Sequence, residues 1–150
     1  MKQYEEKIQL EIKVDPALAW KTIGSVGVGG VDKWFSSVIK TCQVDGDKRF
    51  CEMVNGTKLE EQLLEINHED RVFRFGIPTQ DILPVENLVE MMQVSAGQNG
   101  NSLVEWSAKF DSTPENAAIA RESLRHLWTS GLKEMENYLQ SNKGHVTSSQ

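Results

Sequence analysis

A helical repeat of apolar positions runs through the last third of the chain, from Pro114 to Gln140. Thr113 is a suitable N-cap, and Pro114 fits the first turn, where its missing N–H is harmless. The spacing predicts one amphipathic helix over residues 114–140, about 40 Å long at about 1.5 Å per residue. Its apolar or small positions are Ala117, Ala120, Leu124, Leu127, Trp128, Gly131, Leu132, Met135 and Leu139.

Alternating apolar and polar positions near the start of the chain predict a first strand. Over residues 4–14, Ile8, Leu10, Ile12 and Val14 fall on one side, and mostly polar residues fall on the other. A period of two is typical of a half-buried strand.

Two short helices are predicted next, with a glycine-rich segment between them. Asp15 caps a helix that begins at Pro16 and carries Trp20, and the glycines of residues 24–30 end it. Asp32 is a suitable cap for the second helix, DKWFSS. The glycine-rich segment has neither the GxGxxG pattern nor the GK[ST] ending of a phosphate-binding loop, and no buried strand precedes it. We interpret it as a flexible joint.

Strand patterns alternate with turn signals from Val38 to Phe110. Turn signals such as DGD at 45–47 and NG at 55–56 separate six stretches of strand character. No space remains for crossover helices, so the sheet must be antiparallel. The predicted strands are 38–44, 49–55, 58–66, 71–77, 85–95 and 102–110.

The order of elements predicts an α+β fold, β-α-α-β6-α, in which seven strands precede the terminal helix. A twisted antiparallel sheet can close around one long amphipathic helix and leave an enclosed space. Gly131 and the alanines are expected to hold the helix surface back from the strands. We expect one domain over residues 1–140 and a disordered tail over residues 141–150.

Charge and composition narrow the classes of partner. The chain has 150 residues and a formal net charge of −6, and no run of Lys or Arg offsets this acidic balance. Nucleic acid and anionic membrane surfaces are therefore not expected as partners. No apolar segment approaches the roughly 20 residues of a membrane span, and the N-terminal sequence MKQYEEKIQ is too polar for a signal peptide. We expect a cytoplasmic protein.

Several phrases of the sequence, in this order, carry a family resemblance. They are KWFSSVIKTCQVDGDKRFCEMVNG, EEQLLEIN, RVFRFGI, LPVENLVEMMQV and LVEWSAKF. Over about residues 4–140 the chain resembles the START and pollen-allergen-like superfamily (SRPBCC), and within it the small polyketide cyclase/dehydrase-like proteins. The resemblance implies a helix-grip fold, in which a curved seven-stranded sheet holds the C-terminal helix over a mostly apolar cavity. It implies functions that range from lipid and hormone binding to ring closure and isomerisation.

One stretch, KWFSSVIKTCQVDGDKRFCE, is similar to the corresponding region of lachrymatory-factor synthase, a plant enzyme that rearranges a sulfenic acid. This similarity implies that Arg49 and Glu61 match an arginine and a catalytic glutamate of that enzyme. A tyrosine that helps there falls at Leu88, so its hydroxyl is missing here.

The register of one hairpin decides whether Arg49 and Glu61 can meet. A two-residue loop at Asn55-Gly56 would place them on opposite faces of the sheet. A three-residue loop over 55–57, with Gly56 in a left-handed conformation, would place both on one face, with Cys51 opposite Glu61 and Arg49 opposite Leu63. We predict the second register because it gathers Met53, Leu59 and Leu63 on the same side.

Three interpretations of Arg49 and Glu61 remain open. They form a structural ion pair at the sheet surface, they hold the polar end of a ligand, or they catalyse a reaction with Glu61 as general acid or base. A carboxylate inside an apolar cavity has to be neutral or paired, and Arg49 is the natural partner.

Large apolar side chains are candidates for the cavity wall, since ligand pockets are mainly apolar. Trp34 and Phe35, beside the glycine joint, are also candidates for its mouth. The predicted lining residues are Trp34, Phe35, Met53, Leu63, Phe75, Leu88, Trp106, Leu124, Trp128 and Met135.

Cysteine and histidine give weaker signals. A two-residue loop at Gly46-Asp47 places Cys42 directly across from Cys51, and we expect two inert thiols rather than a disulfide. The histidines are scattered, so we predict no metal and no cofactor. His126 flanks the apolar stripe of the long helix, where contact with solvent or Glu122 is expected rather than with a ligand.

The sequence favours a binding protein for a small, largely hydrophobic ligand with one polar end, oriented by Arg49 and Glu61. An enzyme of the cyclase, dehydratase or isomerase type, with Glu61 as general acid or base and Arg49 at a developing negative oxygen, is the alternative. A protein-interaction module without a ligand is a third hypothesis. Ligand identity and oligomeric state are open at this point.

Overall fold

The computed structural model describes the backbone of residues 1–148 and the side chains of residues 1–141. Over this part of the chain the order of elements is the predicted one. The elements are β1 (Lys2–Ile12), α1 (Pro16–Ile23), α2 (Val31–Trp34), β2 (Ile39–Asp45), β3 (Lys48–Met53), β4 (Lys58–Asn67), β5 (Val72–Ile77), β6 (Glu86–Ala96), β7 (Ser102–Ser112) and α3 (Pro114–Ser148).

The seven strands form one antiparallel sheet in the order β1-β7-β6-β5-β4-β3-β2. Strands β2 to β7 each pair with their neighbour in sequence, whereas β1 pairs with β7, the last strand. The α+β helix-grip architecture is confirmed.

The short helices follow the sequence signals with one exception. The carboxylate of Asp15 accepts hydrogen bonds from the N–H groups of Ala17 and Leu18, and Pro16 opens α1. Helix α2 is preceded by Gly30, while Asp32 lies inside its first turn without a side-chain cap bond. The prediction that Asp32 is the N-cap is therefore wrong by two residues.

The apolar stripe of α3 is buried as its period requires. Ala120, Trp128, Leu132 and Met135 are each 0% exposed. The helix passes the predicted end at Gln140 and is assigned to Ser148. The predicted tail over 141–150 falls almost wholly outside the residues whose side chains are described.

Gly131 has the opposite effect to the one expected. A Cβ atom built there would lie 3.1 Å from two ring atoms of Phe35 and 3.4 Å from the Trp106 ring. The missing side chain thus lets Phe35 touch the helix directly, which closes the space at this level instead of holding the helix away. The cavity beside the sheet lies towards the N-terminal half of α3, where Ser123, Leu124 and Leu127 line it.

The β3–β4 hairpin has a three-residue loop, but one position earlier than predicted. The Met53 N–H donates to the Thr57 carbonyl at 2.7 Å, and Gly56 takes a positive φ of 93°. The loop therefore comprises residues 54–56, and Arg49 pairs with Glu61 rather than with Leu63. The shared face is confirmed, whereas the predicted partners, Cys51 with Glu61 and Arg49 with Leu63, are wrong.

None of the described helices is both long enough and apolar enough to cross a membrane.

Candidate functional site

A cavity of about 390 Å³ lies between the sheet, α2 and the N-terminal half of α3. Its wall is mainly apolar and rich in aromatic rings, with a few charged groups. The lining residues are Ile23, Val31, Trp34, Phe35, Val38, Ile39, Arg49, Met53, Leu59, Glu61, Phe73, Phe75, Ile77, Gln80, Ile82, Leu83, Leu88, Glu90, Met92, Trp106, Ser123, Leu124, His126 and Leu127.

Most of the predicted lining residues are part of this wall. Both members of the predicted polar pair, Arg49 and Glu61, also line it. The predicted residues that the structure brings together are Trp34, Phe35, Met53, Phe75, Leu88, Trp106 and Leu124.

Leu63, Trp128 and Met135 are corrections to the predicted wall. Trp128 is 0% exposed and stacks behind Trp106, with ring centroids 5.8 Å apart. Met135 lies beyond Gly131, in the half of α3 that packs tightly onto its neighbours. Leu63 is half-buried beside a bulge of β4 and packs against the core without reaching the cavity.

The mouth of the cavity also differs from the expectation. Trp34 and Phe35 are only 3% and 4% exposed, so they belong to the inner wall. The exposed lining residues are Ile82, in the β5–β6 loop, together with Ser123 and His126 on α3. The opening therefore lies between that loop and the helix, and His126 stands at its rim.

Arg49 and Glu61 form a buried ion pair, 4% and 6% exposed, and not a surface pair. The Arg49 Nε–H donates to Glu61 Oε1 at 2.5 Å, and Nη1–H donates to the Val28 carbonyl at 2.9 Å. The glycine-rich segment thus contacts the ion pair directly, because its Val28 carbonyl accepts this hydrogen bond from the guanidinium. No described residue accepts a hydrogen bond from Nη2, which leaves those N–H groups available to a ligand.

Two aromatic rings and the carboxylate stabilise the charge of Arg49. Its guanidinium carbon lies 5.2 Å from the Phe73 ring centroid and 4.9 Å from that of Phe75. Burial is the largest single effect and lowers the pKa of Arg49. The charge of Glu61, its hydrogen bond and the two nearby cysteines together outweigh burial, so the pKa lies above its ordinary value. The guanidinium is therefore a permanent cation in the cavity wall.

Glu90 is a third charged group, which the sequence analysis missed. It is 6% exposed, and one oxygen, Oε1, accepts from Trp106 Nε1–H at 2.7 Å and from Trp128 Nε1–H at 3.2 Å. Its pKa is raised to about 7, mainly by burial, and the charge of Glu61 acts in the same direction. The two indole hydrogen bonds and the charge of Arg49 act in the opposite direction and lower the pKa. Glu90 is therefore a carboxyl group that titrates near neutral pH inside the cavity.

A sequence signal for Glu90 did exist. In β6, Leu88, Glu90, Met92 and Val94 alternate along one face, and all four are buried. A glutamate in the middle of an apolar face at period two predicts a buried carboxylate, and such groups are retained when a partner or a function requires them.

Trp34 lines the same wall and has an unsatisfied donor that is itself covered by neighbouring atoms. Its Nε1–H is buried and has no hydrogen-bond partner among the described residues. The Trp34 ring packs edge-on against Trp106, with centroids 6.3 Å apart, so it lies next to the indole that binds Glu90.

The two cysteines pair across β2 and β3 as predicted. Cys42 lies opposite Cys51, their sulfur atoms are 3.2 Å apart, and both are free thiols. The hydrogen bond from Cys51 lowers the pKa of Cys42 and raises that of Cys51, which burial and Glu61 raise further. Cys42, which is half-buried, is thus the more acidic thiol.

The side chains of residues 1–141 include no group of three or more His, Cys, Asp or Glu residues that could hold a metal ion.

Solved structures of low identity share this fold. An uncharacterised protein from Bacillus thuringiensis matches with a TM-score of 0.80 at 23% identity, covering 89% of this chain and 97% of that one. Ginseng major latex-like protein 151, from Panax ginseng, matches with 0.70 at 16%, covering 91% and 97%. Norcoclaurine synthase from Thalictrum flavum, in complex with dopamine and hydroxybenzaldehyde, matches with 0.74 at 12%, covering 93% and 88%.

No curated protein matches the chain. The model of one protein family does match, however, and it spans residues 3–140, nearly the whole of the described fold. The chain therefore belongs to the family described as polyketide cyclase / dehydrase and lipid transport.

Proposed function

We propose that the protein binds a small, largely hydrophobic molecule with a polar end in the cavity between its sheet and α3. The observation that carries this proposal is a mostly apolar cavity of about 390 Å³ that has a buried ion pair in its wall. Ligand pockets combine such apolar walls with a few fixed polar groups. The free N–H groups of Arg49 Nη2 would receive the polar end of the ligand.

The comparisons are consistent with this proposal. The family description includes lipid transport, and norcoclaurine synthase, which shares the fold, is described in complex with two small aromatic molecules. At 12% identity that likeness supports the fold and not the ligand.

The direct test is to identify what co-purifies and to block the cavity. Native mass spectrometry of the purified protein should show a small-molecule adduct, and 8-anilinonaphthalene-1-sulfonate should bind with a rise in fluorescence. Leu124→Phe would place a larger ring in the cavity from α3, so probe binding should fall at least about tenfold. Ile119→Phe, at an exposed position of the same helix, is the matched control and should leave binding unchanged. Equal binding by both variants would refute the proposal.

A second candidate function is a cyclase, dehydratase or isomerase reaction in the same cavity. The observation that favours it is Glu90, because a carboxyl group with a pKa of about 7 can give or take a proton near neutral pH. The sequence analysis assigned the role of general acid or base to Glu61 instead, which accepts a hydrogen bond from Arg49. Glu61→Gln should abolish turnover if the protein is an enzyme that uses Glu61, and should only weaken ligand binding if it is not.

A further inference from the structure

Two thiols face each other across the hairpin at one edge of the sheet. Cys42 on β2 pairs directly with Cys51 on β3, and their sulfur atoms are 3.2 Å apart. Directly opposite residues of antiparallel strands have Cβ atoms about 4.5–5.5 Å apart, and a disulfide needs about 3.5–4.5 Å. The two sulfur atoms therefore have to approach by roughly 1 Å to reach bonding distance, which a small shift of the edge strand supplies.

Cys42 is the member of the pair that solvent reaches. Its side chain is half-buried, whereas Cys51 is 5% exposed. Both residues border an open depression of the surface, together with their neighbours on β2, β3 and β4. Strand β2 is also an edge strand that pairs only with β3, so no further strand covers its open side. A small oxidant can therefore reach Cys42 first.

The surroundings divide the thiol protons unequally. The hydrogen bond from Cys51 lowers the pKa of Cys42 and the charge of Arg49 adds to this, whereas burial, Glu61 and Asp32 oppose it. The same hydrogen bond raises the pKa of Cys51, and burial and Glu61 raise it further. The more accessible sulfur thus has the greater thiolate character, and the thiolate is the form that reacts with oxidants.

We propose that Cys42 and Cys51 are an oxidation site at which a hydroperoxide closes an intramolecular disulfide. In the first step the Cys42 thiolate attacks a peroxide oxygen, the O–O bond breaks, and a sulfenic acid and hydroxide form. In the second step Cys51 loses its proton and its sulfur attacks that of Cys42, so that the S–O bond breaks and the hydroxyl group leaves with a proton as water. Two thiols and one hydrogen peroxide thus give one disulfide and two water molecules.

The first step prepares Cys51 for the second. Once Cys42 is a sulfenic acid, its thiolate no longer raises the pKa of Cys51, while the charge of Arg49 still lowers it. The sulfur atoms already lie side by side, so the attack is intramolecular and outcompetes reaction with a second molecule. The Cys51 sulfur is also 4.0 Å from Glu61 Oε1, so the modified residue borders the ion pair of the cavity.

Exposure of the purified protein to hydrogen peroxide, followed by intact-mass spectrometry and peptide mapping without reduction, tests this assignment. The wild-type protein should lose the mass of two hydrogen atoms, contain a Cys42–Cys51 cross-link within one chain, and recover both thiols with dithiothreitol. The sulfenic acid reagent dimedone should hardly label it, because Cys51 consumes the intermediate.

The single variants separate the two roles. Cys51→Ser should gain one oxygen atom instead of losing two hydrogen atoms, and dimedone should label it at Cys42. Cys42→Ser leaves only the buried, less acidic thiol, so its reaction with hydrogen peroxide should be at least about tenfold slower than that of the wild type.

A double variant that moves one thiol is the matched control. Cys42→Ser combined with Gln43→Cys keeps two cysteines but places one on the opposite face of β2, because successive side chains of a strand alternate. This protein should form no disulfide within the chain.

Several results would overturn the assignment. They are a wild-type protein that gains oxygen without losing two hydrogen atoms, one that forms disulfide-linked dimers, and one in which both thiols survive peroxide. A faster reaction of Cys42→Ser than of Cys51→Ser would place the first attack on Cys51, which contradicts the proposed roles. None of these measurements involves a ligand, so the oxidation site and the proposed function stand or fall separately.

Discussion

At the scale of single residues, the carboxyl group of Glu90 makes folding sensitive to pH. Its pKa is about 7 in the folded protein, against an ordinary value of 4.5, because it is buried. Because the pKa of Glu90 is higher in the folded state than in the unfolded state, the folded state keeps the proton up to a higher pH. The contribution of Glu90 to the free energy of unfolding is therefore full below about pH 4.5 and is lost as the pH rises through about 7.

Glu90→Gln removes this titration. The loss of wild-type stability between pH 5 and pH 8 should amount to about 2.5 kcal/mol, because the carboxyl group has a pKa of about 7 when folded against an ordinary value of 4.5, and each pH unit of that difference is worth about 1.4 kcal/mol. Urea unfolding at the two pH values measures it, and the variant should lose less stability over the same interval. Parallel losses in both proteins would show that Glu90 is ionised throughout.

The Arg49–Glu61 pair should behave as a buried pair in a mutational cycle. Arg49→Met leaves a buried carboxylate without its partner, which costs about 3–5 kcal/mol. Adding Glu61→Met should restore much of this loss, since no charge then remains unpaired. Urea unfolding of the single and double variants gives the coupling free energy.

A neighbouring pair on the same two strands provides the control. Lys48 Nζ lies 3.1 Å from Glu60 Oε2, but both side chains are about half exposed. Lys48→Met should therefore cost less than about 1 kcal/mol. A loss for Arg49→Met as small as that for Lys48→Met would contradict the assignment of a buried ion pair.

Sequence reasoning at this scale found Arg49 and Glu61 but missed Glu90 and Trp34 as polar groups. Arg49 and Glu61 were identified through the family resemblance, whereas no residue of the similar enzyme was matched to Glu90. Its pattern, one glutamate in a run of buried alternating residues, was visible in the sequence. The free Nε1–H of Trp34 depends on the packing of its neighbours, which no local pattern gives.

At the scale of secondary structure elements, Gly131 fixes how closely α2 and α3 approach each other. Gly131→Val would push Phe35 away from the helix, because even a Cβ atom lies at 3.1 Å from its ring. The variant should lose about 1–3 kcal/mol from overpacking and should bind the fluorescent probe differently, since Phe35 is part of the cavity wall. Thermal unfolding and a probe titration measure the two effects.

The neighbouring residue provides the control for that substitution. Ser130→Val introduces the same side chain at an exposed position of α3 and should change stability by less than about 0.5 kcal/mol. If both variants were equally stable, the close contact at Gly131 would make no measurable contribution to the free energy of unfolding.

The elements themselves were largely predictable, and the hairpin shows where the prediction failed. Type and order followed from periodicity, but the β3–β4 loop was placed at 55–57 instead of 54–56. In a common three-residue hairpin the left-handed residue comes last, after a type I turn, and Gly56 occupies that last position. Turn chemistry, applied fully, would have paired Arg49 with Glu61 from sequence alone.

At the scale of the whole molecule, the position of the mouth should control ligand exchange. Ile82 is 45% exposed and lines the opening on the β5–β6 loop. Ile82→Ser removes an apolar contact at the rim, so the dissociation rate of the probe should rise about threefold or more, as measured by stopped-flow displacement. Leu64→Ser, at an exposed position of β4 outside the cavity wall, should leave the rate unchanged.

The pairing of β1 with β7 has a consequence for how the chain is made. Residues 2–12 leave the ribosome about a hundred residues before their partner strand, residues 102–112. The apolar side chains of β1 therefore lack their partner strand until residues 102–112 have been synthesised. Closure of the sheet at this edge thus has to follow the synthesis of β7, and until then β1 is a segment on which a nascent-chain chaperone would act.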